Sequence, residues 1–394
     1  MHRIKTDNTI SAKGLDRFER GRYEVGQDIA HPDALLLRSH KLQEAEIVDS
    51  VTAIARAGAG VNNIPLAACS ERGIPVFNTP GANANAVKEL VAAAMLLASR
   101  DIVGGIAFAQ AQDPGMSAQD MNALMEQEKK RFAGAELAGK TLGVVGLGSI
   151  GSLVARQGLN FGMEVVGFDP ALSVEAAWRL PSEVQRMENV QSLFSRSDFI
   201  SLHLPVLDST RGLVNEEMLT HFKKGSCLLN FAREEIVSTE AVVAALDNGQ
   251  LRCYVADFPS PMLLGRTDTL LMPHIGASTA EAEENCAIMA ANQLKAFLEH
   301  GNIRNSVNFP AIELERTTDY RITIANRNEP GMLSHVLTLI GDEGLNVADL
   351  LNKSFGDVAY NIIDLDEVPQ EGLLSKIRTV EGVINLRLIK GTPG

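Results

Sequence analysis

Cysteine is scarce in this 394-residue chain: there are four, Cys69, Cys227, Cys253 and Cys286, and no two have CxxC spacing. Neither a disulfide framework nor a zinc ribbon can be built from them, and buried free thiols in a reducing compartment are the expectation. No metal is called for. Positive charge is also short, with 36 Lys and Arg against 49 Asp and Glu, a net charge of −13. That balance argues against a nucleic-acid or anionic-membrane partner. It leaves an anionic small substrate open, because a few arginines can reverse the field inside a cleft. No apolar run approaches the length of a membrane span, and the opening MHRIKTDNTI has no signal-peptide core, so a cytoplasmic protein with no membrane partner is expected.

What the chain does have is one stretch with a complete physical logic, Thr141 to Pro170. An apolar run, Thr141-Leu-Gly-Val-Val145, is followed by Gly146-Leu-Gly148-Ser149-Ile150-Gly151, a helical pattern, a second apolar run and Asp169. In a strand–turn–helix of this kind, the first glycine permits the tight turn. The second lets backbone approach a pyrophosphate, and the third lets helix pack closely on strand. The N–H groups at the start of the helix, at Ser149 and Ile150, then face the phosphates. Asp169 stands 18 residues beyond Gly151, where a carboxylate can accept both ribose hydroxyls and repel a 2′-phosphate. NAD, not NADP, is the expected cofactor.

The remaining pattern predicts three units. Residues 1–98, completed by 285–310, alternate short apolar runs (Ala34–Leu37, Ala53–Ala55, Pro75–Phe77) with helical segments and read as a discontinuous flavodoxin-like α/β domain. Residues 99–284 read as a doubly wound Rossmann domain. Residues 316–394 give the order βαββαβ, a ferredoxin-like unit with no residue suited to catalysis. Ala84 to Ser99 reads as a long buried helix of the kind found at domain or subunit interfaces.

Ligands in open α/β sheets bind at the carboxyl ends of the strands. Those ends carry Asp169, His203, Arg233, Asp257 and His274 in the Rossmann domain. Arg233 could bind a carboxylate and polarise a neighbouring carbonyl, or be an ordinary surface arginine. His274 is suited to proton transfer near neutral pH, or could be structural. Asp257 could hold a nicotinamide carboxamide or cap a turn. In the first domain Arg38-Ser39, Arg56 and the Gly81-Ala-Asn83 loop stand at adjacent strand ends and suggest an anion pocket. Each arginine could equally be paired with a surface carboxylate.

Ile54-Ala-Arg56-Ala-Gly-Ala-Gly60, Gly146–Gly151 with Asp169, Asn230-Phe-Ala-Arg233 and Pro273-His274-Ile-Gly276-Ala-Ser-Thr279 together resemble the D-isomer-specific 2-hydroxyacid dehydrogenases over nearly the whole chain. What the resemblance implies is NAD-dependent oxidation, with 3-phospho-D-glycerate as the substrate of the most similar members, on the way to L-serine. By that resemblance Arg233 binds the substrate carboxylate and C2 oxygen, and His274 takes the C2 hydroxyl proton as hydride leaves for the nicotinamide. Arg38, Ser39, Arg56, Gly81 and Asn83 hold the rest of the substrate. His203, Pro205, Phe231, Ala232, Asp257 and Gly276 join the glycine loop around NAD, and the long helices fit a homodimer or homotetramer. The last unit is similar to an ACT domain, with Asn326, Asn328 and Asn346 at positions matching a serine-effector site.

Two departures stand out. The family carries a glutamate a few residues after the aspartate matching Asp257; here Asp257-Phe-Pro-Ser-Pro-Met262 has no acid, leaving Asp268 as the one candidate to fold back. The usual tryptophan before the glycine-loop strand is also missing, the only one being Trp178. Two alternatives therefore stay open: the same chemistry on another 2-hydroxy acid such as glyoxylate, and a non-catalytic NAD-binding sensor.

Overall fold

The computed structural model describes residues 1–391, so the last three residues of the expected C-terminal unit, 392–394, lie outside the described residues. Two compact units emerge, one formed by 1–83 with 280–394 and the other by 84–279.

The 84–279 unit is a seven-stranded parallel sheet. Its order is Thr269–Leu271, Leu251–Ala256, Ser226–Asn230, Phe199–Leu202, Thr141–Val145, Glu164–Phe168 and Gln185–Arg186. Strand order reverses at Thr141–Val145, which pairs with Phe199–Leu202 on one side and Glu164–Phe168 on the other. This switch point splays the following loops apart and opens a crevice there. Both faces of the sheet are covered, so alternate residues enter different cores: Val144 packs with Val154 and Met95, Val145 with Leu193 and Phe194. The Ala84–Ser99 helix puts Val87, Val91, Ala94 and Met95 into the first of these cores. The boundary between units therefore falls before this helix, at residue 84 and not at 98.

The other unit carries two sheets. The first is five-stranded and all parallel, in the order Tyr23–Gly26, His2–Asp7, Ala34–Leu37, Ala53–Arg56, Val76–Phe77. Two of its strands, the edge strand Tyr23–Gly26 and its neighbour His2–Asp7, escape a reading based on apolar runs, because only Ile4, Thr6 and Tyr23 of their ten residues are buried. The Ala280–His300 helix packs its small face, Ala287, Ala290 and Ala291, into this core. At Gly14 the approach is so close that a Cβ would sit 2.5 Å from the Ala287 Cβ.

The second sheet is antiparallel, ordered Val347–Phe355, Val358–Leu365, Tyr320–Arg327, Val383–Lys390, with helices Met332–Asp342 and Glu371–Arg378 as its connections. This is the expected ferredoxin-like order. Val358–Leu365 is buried at every position because both faces of the sheet are covered. Ile363 and Leu365 face the two helices, whereas Tyr360 and Ile362 join the first sheet's core with Phe297 and Phe309. A fully buried ion pair fixes that junction. Arg321 meets Asp364 through two bonds of 2.6 and 2.8 Å and donates to the carbonyls of His300 and Leu314. Every donor direction thus has a partner, the condition under which a buried pair is tolerated.

Among the described residues no single helix is long and apolar enough to cross a membrane.

Candidate active site

The glycine loop follows Thr141–Val145 and opens the Ser149–Asn160 helix. Gly146 has φ +88°, and a Cβ there would lie 2.4 Å from the His203 carbonyl oxygen. At Gly151 a Cβ would lie 1.9 Å from the Gly146 oxygen, so helix and strand touch backbone to backbone. Gly148 is different: a Cβ would meet nothing within 4 Å, and would fill only the open space in front of the helix N-terminus. A dinucleotide's phosphates fit that space.

Asp169 ends Glu164–Phe168 and is oriented by its own chain, accepting from the N–H of Leu147 at 2.8 Å and of Ala171 at 2.9 Å. Beside it lies a cavity of about 790 Å³ walled by Leu147, Phe168, Leu172, Trp178, Leu180 and Val184. An apolar slot next to a fixed carboxylate suits an adenosine. Trp178, 86% exposed, was without a role in the sequence; its place on this wall follows only from the fold.

His203 follows the next strand. Its Nε2 bonds the Ser201 hydroxyl at 2.8 Å, and its buried Nδ1 has no partner. Burial pulls its pKa down to about 3, so the ring is neutral at physiological pH. That neutral, unpaired nitrogen beside the glycine loop is a second feature that fits a bound dinucleotide. Pro205 lies two residues on in the same loop, where its carbonyl accepts from the Thr210 hydroxyl.

Asn230 organises the loop after the central Ser226–Asn230 strand, accepting from Ala232 N–H and donating to the Arg233 carbonyl. Phe231 and Ala232 are buried, and Arg233 is exposed with its guanidinium bonded to the Ala232 carbonyl at 2.6 Å. Asp257, only 3% exposed, caps a turn: its two oxygens accept from Ile275 and Gly276 N–H at 2.8 and 2.7 Å. Between these anchors and the preceding strand stands His274, exposed and held at φ +57°. A non-glycine residue in that conformation is strained, and the two Asp257 bonds are what hold the turn that carries it. Gly276 is required there, since a Cβ would sit 2.9 Å from an Asp257 oxygen.

The ring neighbour of His274 is Phe258, with centroids 4.9 Å apart. Among the described residues no carboxylate bonds the imidazole. Asp268 does not fold back: both its oxygens take the Arg266 guanidinium at 2.8 Å, which holds its carboxyl below the usual range. Phe258 is the site residue that sequence reasoning missed. Its signal is its place directly after Asp257, in a run that has no acid.

In the other unit, Arg38 and Arg56 do stand at adjacent strand ends, paired in register as Leu37 with Arg56. Both are engaged with their own chain. Arg56 Nε donates to the Arg38 carbonyl at 2.9 Å and its Nη1 to the Gly60 carbonyl. Arg38 forms an ion pair with Glu283 at 2.6 Å, each about two-fifths exposed. Ser39 N–H is held by Asn8 at 3.0 Å, and Gly81, at φ +80°, turns the loop that carries Asn83.

The three asparagines of the last sheet are not brought together. Asn326 is buried and satisfied, donating to the Arg327 carbonyl and accepting from Asn361 at 2.7 Å. Asn328 lies just beyond the same strand end, bonded to the Gly356 carbonyl. Asn346 bonds Asp366, next to Leu365, which pairs with Tyr320 at the opposite end of that strand. Six residues of strand, roughly 20 Å, separate the two ends. A single chain therefore cannot place all three around one small amino acid.

Residues 93–276 match the family model described as D-isomer specific 2-hydroxyacid dehydrogenase, NAD binding domain. The chain is 30% identical to the D-3-phosphoglycerate dehydrogenase of Haemophilus influenzae, over 90% of this chain and 85% of that one. It is 37% identical to the hydroxypyruvate reductase of Thermotoga maritima, over 67% of this chain and 84% of the relative. Among solved structures, NAD+-bound 3-phosphoglycerate dehydrogenase of Entamoeba histolytica superposes with a TM-score of 0.60 at 25% identity, covering 79% of this chain and 99% of that one.

Proposed function

The chain belongs to the D-isomer-specific 2-hydroxyacid dehydrogenases, and from that premise we propose that it oxidises 3-phospho-D-glycerate to 3-phosphohydroxypyruvate with NAD, the first step towards L-serine. What supports this substrate is the extent of the likeness. The match to the Haemophilus enzyme spans 90% of the chain, whereas the match to the reductase stops at 67%.

NAD, when bound, supplies the hydride acceptor; the glycine loop, Asp169 and the neutral His203 would hold it. The residues of the chain do the rest. Arg233 binds the substrate carboxylate and polarises the C2 oxygen, and His274 accepts the proton of the C2 hydroxyl as hydride departs from C2. Asp257 acts through His274, by fixing the turn that presents it. Phe258 supplies an apolar face where a carboxylate would otherwise sit, so the imidazole works without an anionic partner. Arg38 and Arg56 take the phosphate, which requires Arg38 to exchange Glu283 for substrate.

A second reading, reduction of hydroxypyruvate or glyoxylate, is favoured by that same Arg38–Glu283 pair, which already satisfies one arginine without a phosphate. NADH formation measured across a panel of D-2-hydroxy acids, with and without a phosphate, separates the two. A kcat/KM at least tenfold higher for 3-phosphoglycerate supports the first reading; equal or better turnover of D-glycerate establishes the second. No turnover with any of them leaves an NAD-binding sensor.

We further assign the protein to the cytoplasm and to a homodimer or homotetramer. Serine, the end product of such a pathway, is the first candidate for an effector. A serine site using Asn326, Asn328 and Asn346 needs two copies of the C-terminal sheet, each contributing one end.

A further inference from the structure

A cavity of about 590 Å³ lies where the first parallel sheet and the C-terminal sheet meet, inside the unit formed by 1–83 and 280–394. Its size falls in the range of small-molecule sites, roughly 300–1,000 Å³. None of the residues assigned above to cofactor, substrate or effector lines it.

Its charge runs against that of the protein. In a chain of net charge −13, the walls carry Arg22, Arg316, Arg387 and Lys390 against Asp33 and Glu299, a surplus of two positive charges. Both carboxylates are already served. Asp33 accepts from the Arg3 N–H at 2.7 Å, and Glu299 takes the Tyr23 hydroxyl and, at 3.2 Å, Arg22. The other three cations have no carboxylate partner among the described residues. Arg316 spends its donors on the carbonyls of Thr318, Asp319 and Ile389. Arg387 lies 4.2 Å over the Phe297 ring and donates, at 3.3 and 3.1 Å, to the carbonyls of Phe297 and Leu298. Lys390 is exposed at the mouth.

A guanidinium drawn partly out of water without an ion-pair partner is costly: burial lowers the proton affinity of both Arg387 and Arg316, and the more distant Asp33 at the first, and Asp364 and Asp319 at the second, only partly offset it. Two histidines on the same wall, His2 and His300, are also shifted down by burial, which leaves them free to donate or accept a hydrogen bond without adding charge. The cations come from separate elements: Arg22 from the turn before the edge strand Tyr23–Gly26, Arg316 from the linker, Arg387 and Lys390 from the last strand. One small monovalent ion cannot neutralise groups so distributed.

We propose that this cavity binds a small metabolite bearing two or more anionic groups, carboxylate or phosphate, that bridges the first sheet and the C-terminal sheet. Such a ligand touches both elements at once, so its binding strengthens their docking by mass action. It makes the C-terminal domain a sensor of an anionic metabolite, separate from any serine site and from the reaction.

The test is calorimetric titration of the full-length protein with citrate and with inorganic pyrophosphate, at ionic strength matched with chloride to equalise screening. The expected result is one site per chain at submillimolar concentration for at least one of the two, the tighter one naming the anionic group recognised. Lys390→Glu and Arg387→Gln should each weaken it at least tenfold, and Arg56→Ala should leave it unchanged. Lys390 has no partner whose loss would unfold the chain, so Lys390→Glu decides the matter if Arg387→Gln is unstable. Binding that survives Lys390→Glu, binding lost in Arg56→Ala, or none of either probe to the wild type overturns the proposal.

Discussion

Two parallel sheets in this protein end in loops suited to anions, and they are built in opposite ways. In the 84–279 unit the recognition surface is backbone, fixed by glycines that touch their neighbours so closely that no side chain fits at Gly146 or Gly151. In the 1–83 segment the surface is two long arginine side chains, both already engaged by carbonyls or by Glu283. The first arrangement has nothing to rearrange when a ligand arrives. The second, in the role proposed for it, would have to release Glu283, so its affinity would be a difference between two ion pairs. The difference is that the glycine loop is pre-organised by its backbone, whereas the two arginines are held by partners that a ligand would have to displace.

The largest expected effect lies at His274, the base proposed in the 84–279 unit. His274→Asn should lower kcat by at least 10²–10⁴, the usual worth of a general base, while NADH binding followed by fluorescence stays within twofold. Unchanged turnover would remove His274 from the chemistry. Next comes the backbone surface itself. Gly151→Ala should cost ~1–3 kcal/mol of stability in thermal melts, because the added methyl must push the helix off the strand. It should also weaken NAD at least a hundredfold. A mutant that binds NAD normally would show that this close packing is not needed.

On the exchangeable side, loss of a charged partner whose counterpart stays desolvated costs about 2–5 kcal/mol. Arg56→Ala should therefore raise KM for 3-phosphoglycerate at least tenfold and leave NAD binding nearly constant; equal KM values for phosphorylated and unphosphorylated substrates would abolish the contrast. Asp169→Ala should narrow the preference for NAD over NADP by about tenfold, the more so because Arg186 lines the same cavity and can meet a 2′-phosphate. The smallest effect sharpens the comparison most. An exposed pair is worth about 0.2–1 kcal/mol, so Glu283→Gln, which frees Arg38, should lower KM for a phosphorylated substrate two- to fivefold. An increase would mean that Glu283 positions Arg38 and does not compete for it.

Much of the Rossmann unit was legible in the chain because its signals are local. A glycine that must turn, a glycine that must yield space, and an acid at the next strand end all stand within 24 residues, from Gly146 to Asp169. Four strands buried at nearly every position announce themselves as apolar runs: Thr141–Val145, Phe199–Leu202, Ser226–Asn230 and Leu251–Ala256. Two strands of the first sheet do not: Tyr23–Gly26 is an edge that buries one side chain, and His2–Asp7, though paired on both sides, buries only Ile4 and Thr6 among polar and charged residues. The place of the Ala84–Ser99 helix was equally hidden, because an apolar face tells that a helix is buried and not against which sheet.

Composition and spacing by themselves determined the fold class and the glycine loop, and singled out the acid at the next strand end and the candidate base, all of which depend on residues near one another in sequence. Only the tertiary structure decided what stands beside that base: Phe258 and a turn held by Asp257, with Asp268 claimed by Arg266. It alone separated Asn346 from Asn326 by the length of a strand and gathered Arg22, Arg316, Arg387 and Lys390 around one cavity. Whether such neighbours stand close in sequence or, as around the cavity, hundreds of residues apart, the energy of their contact exists only once the chain has closed on itself, and no local pattern records it.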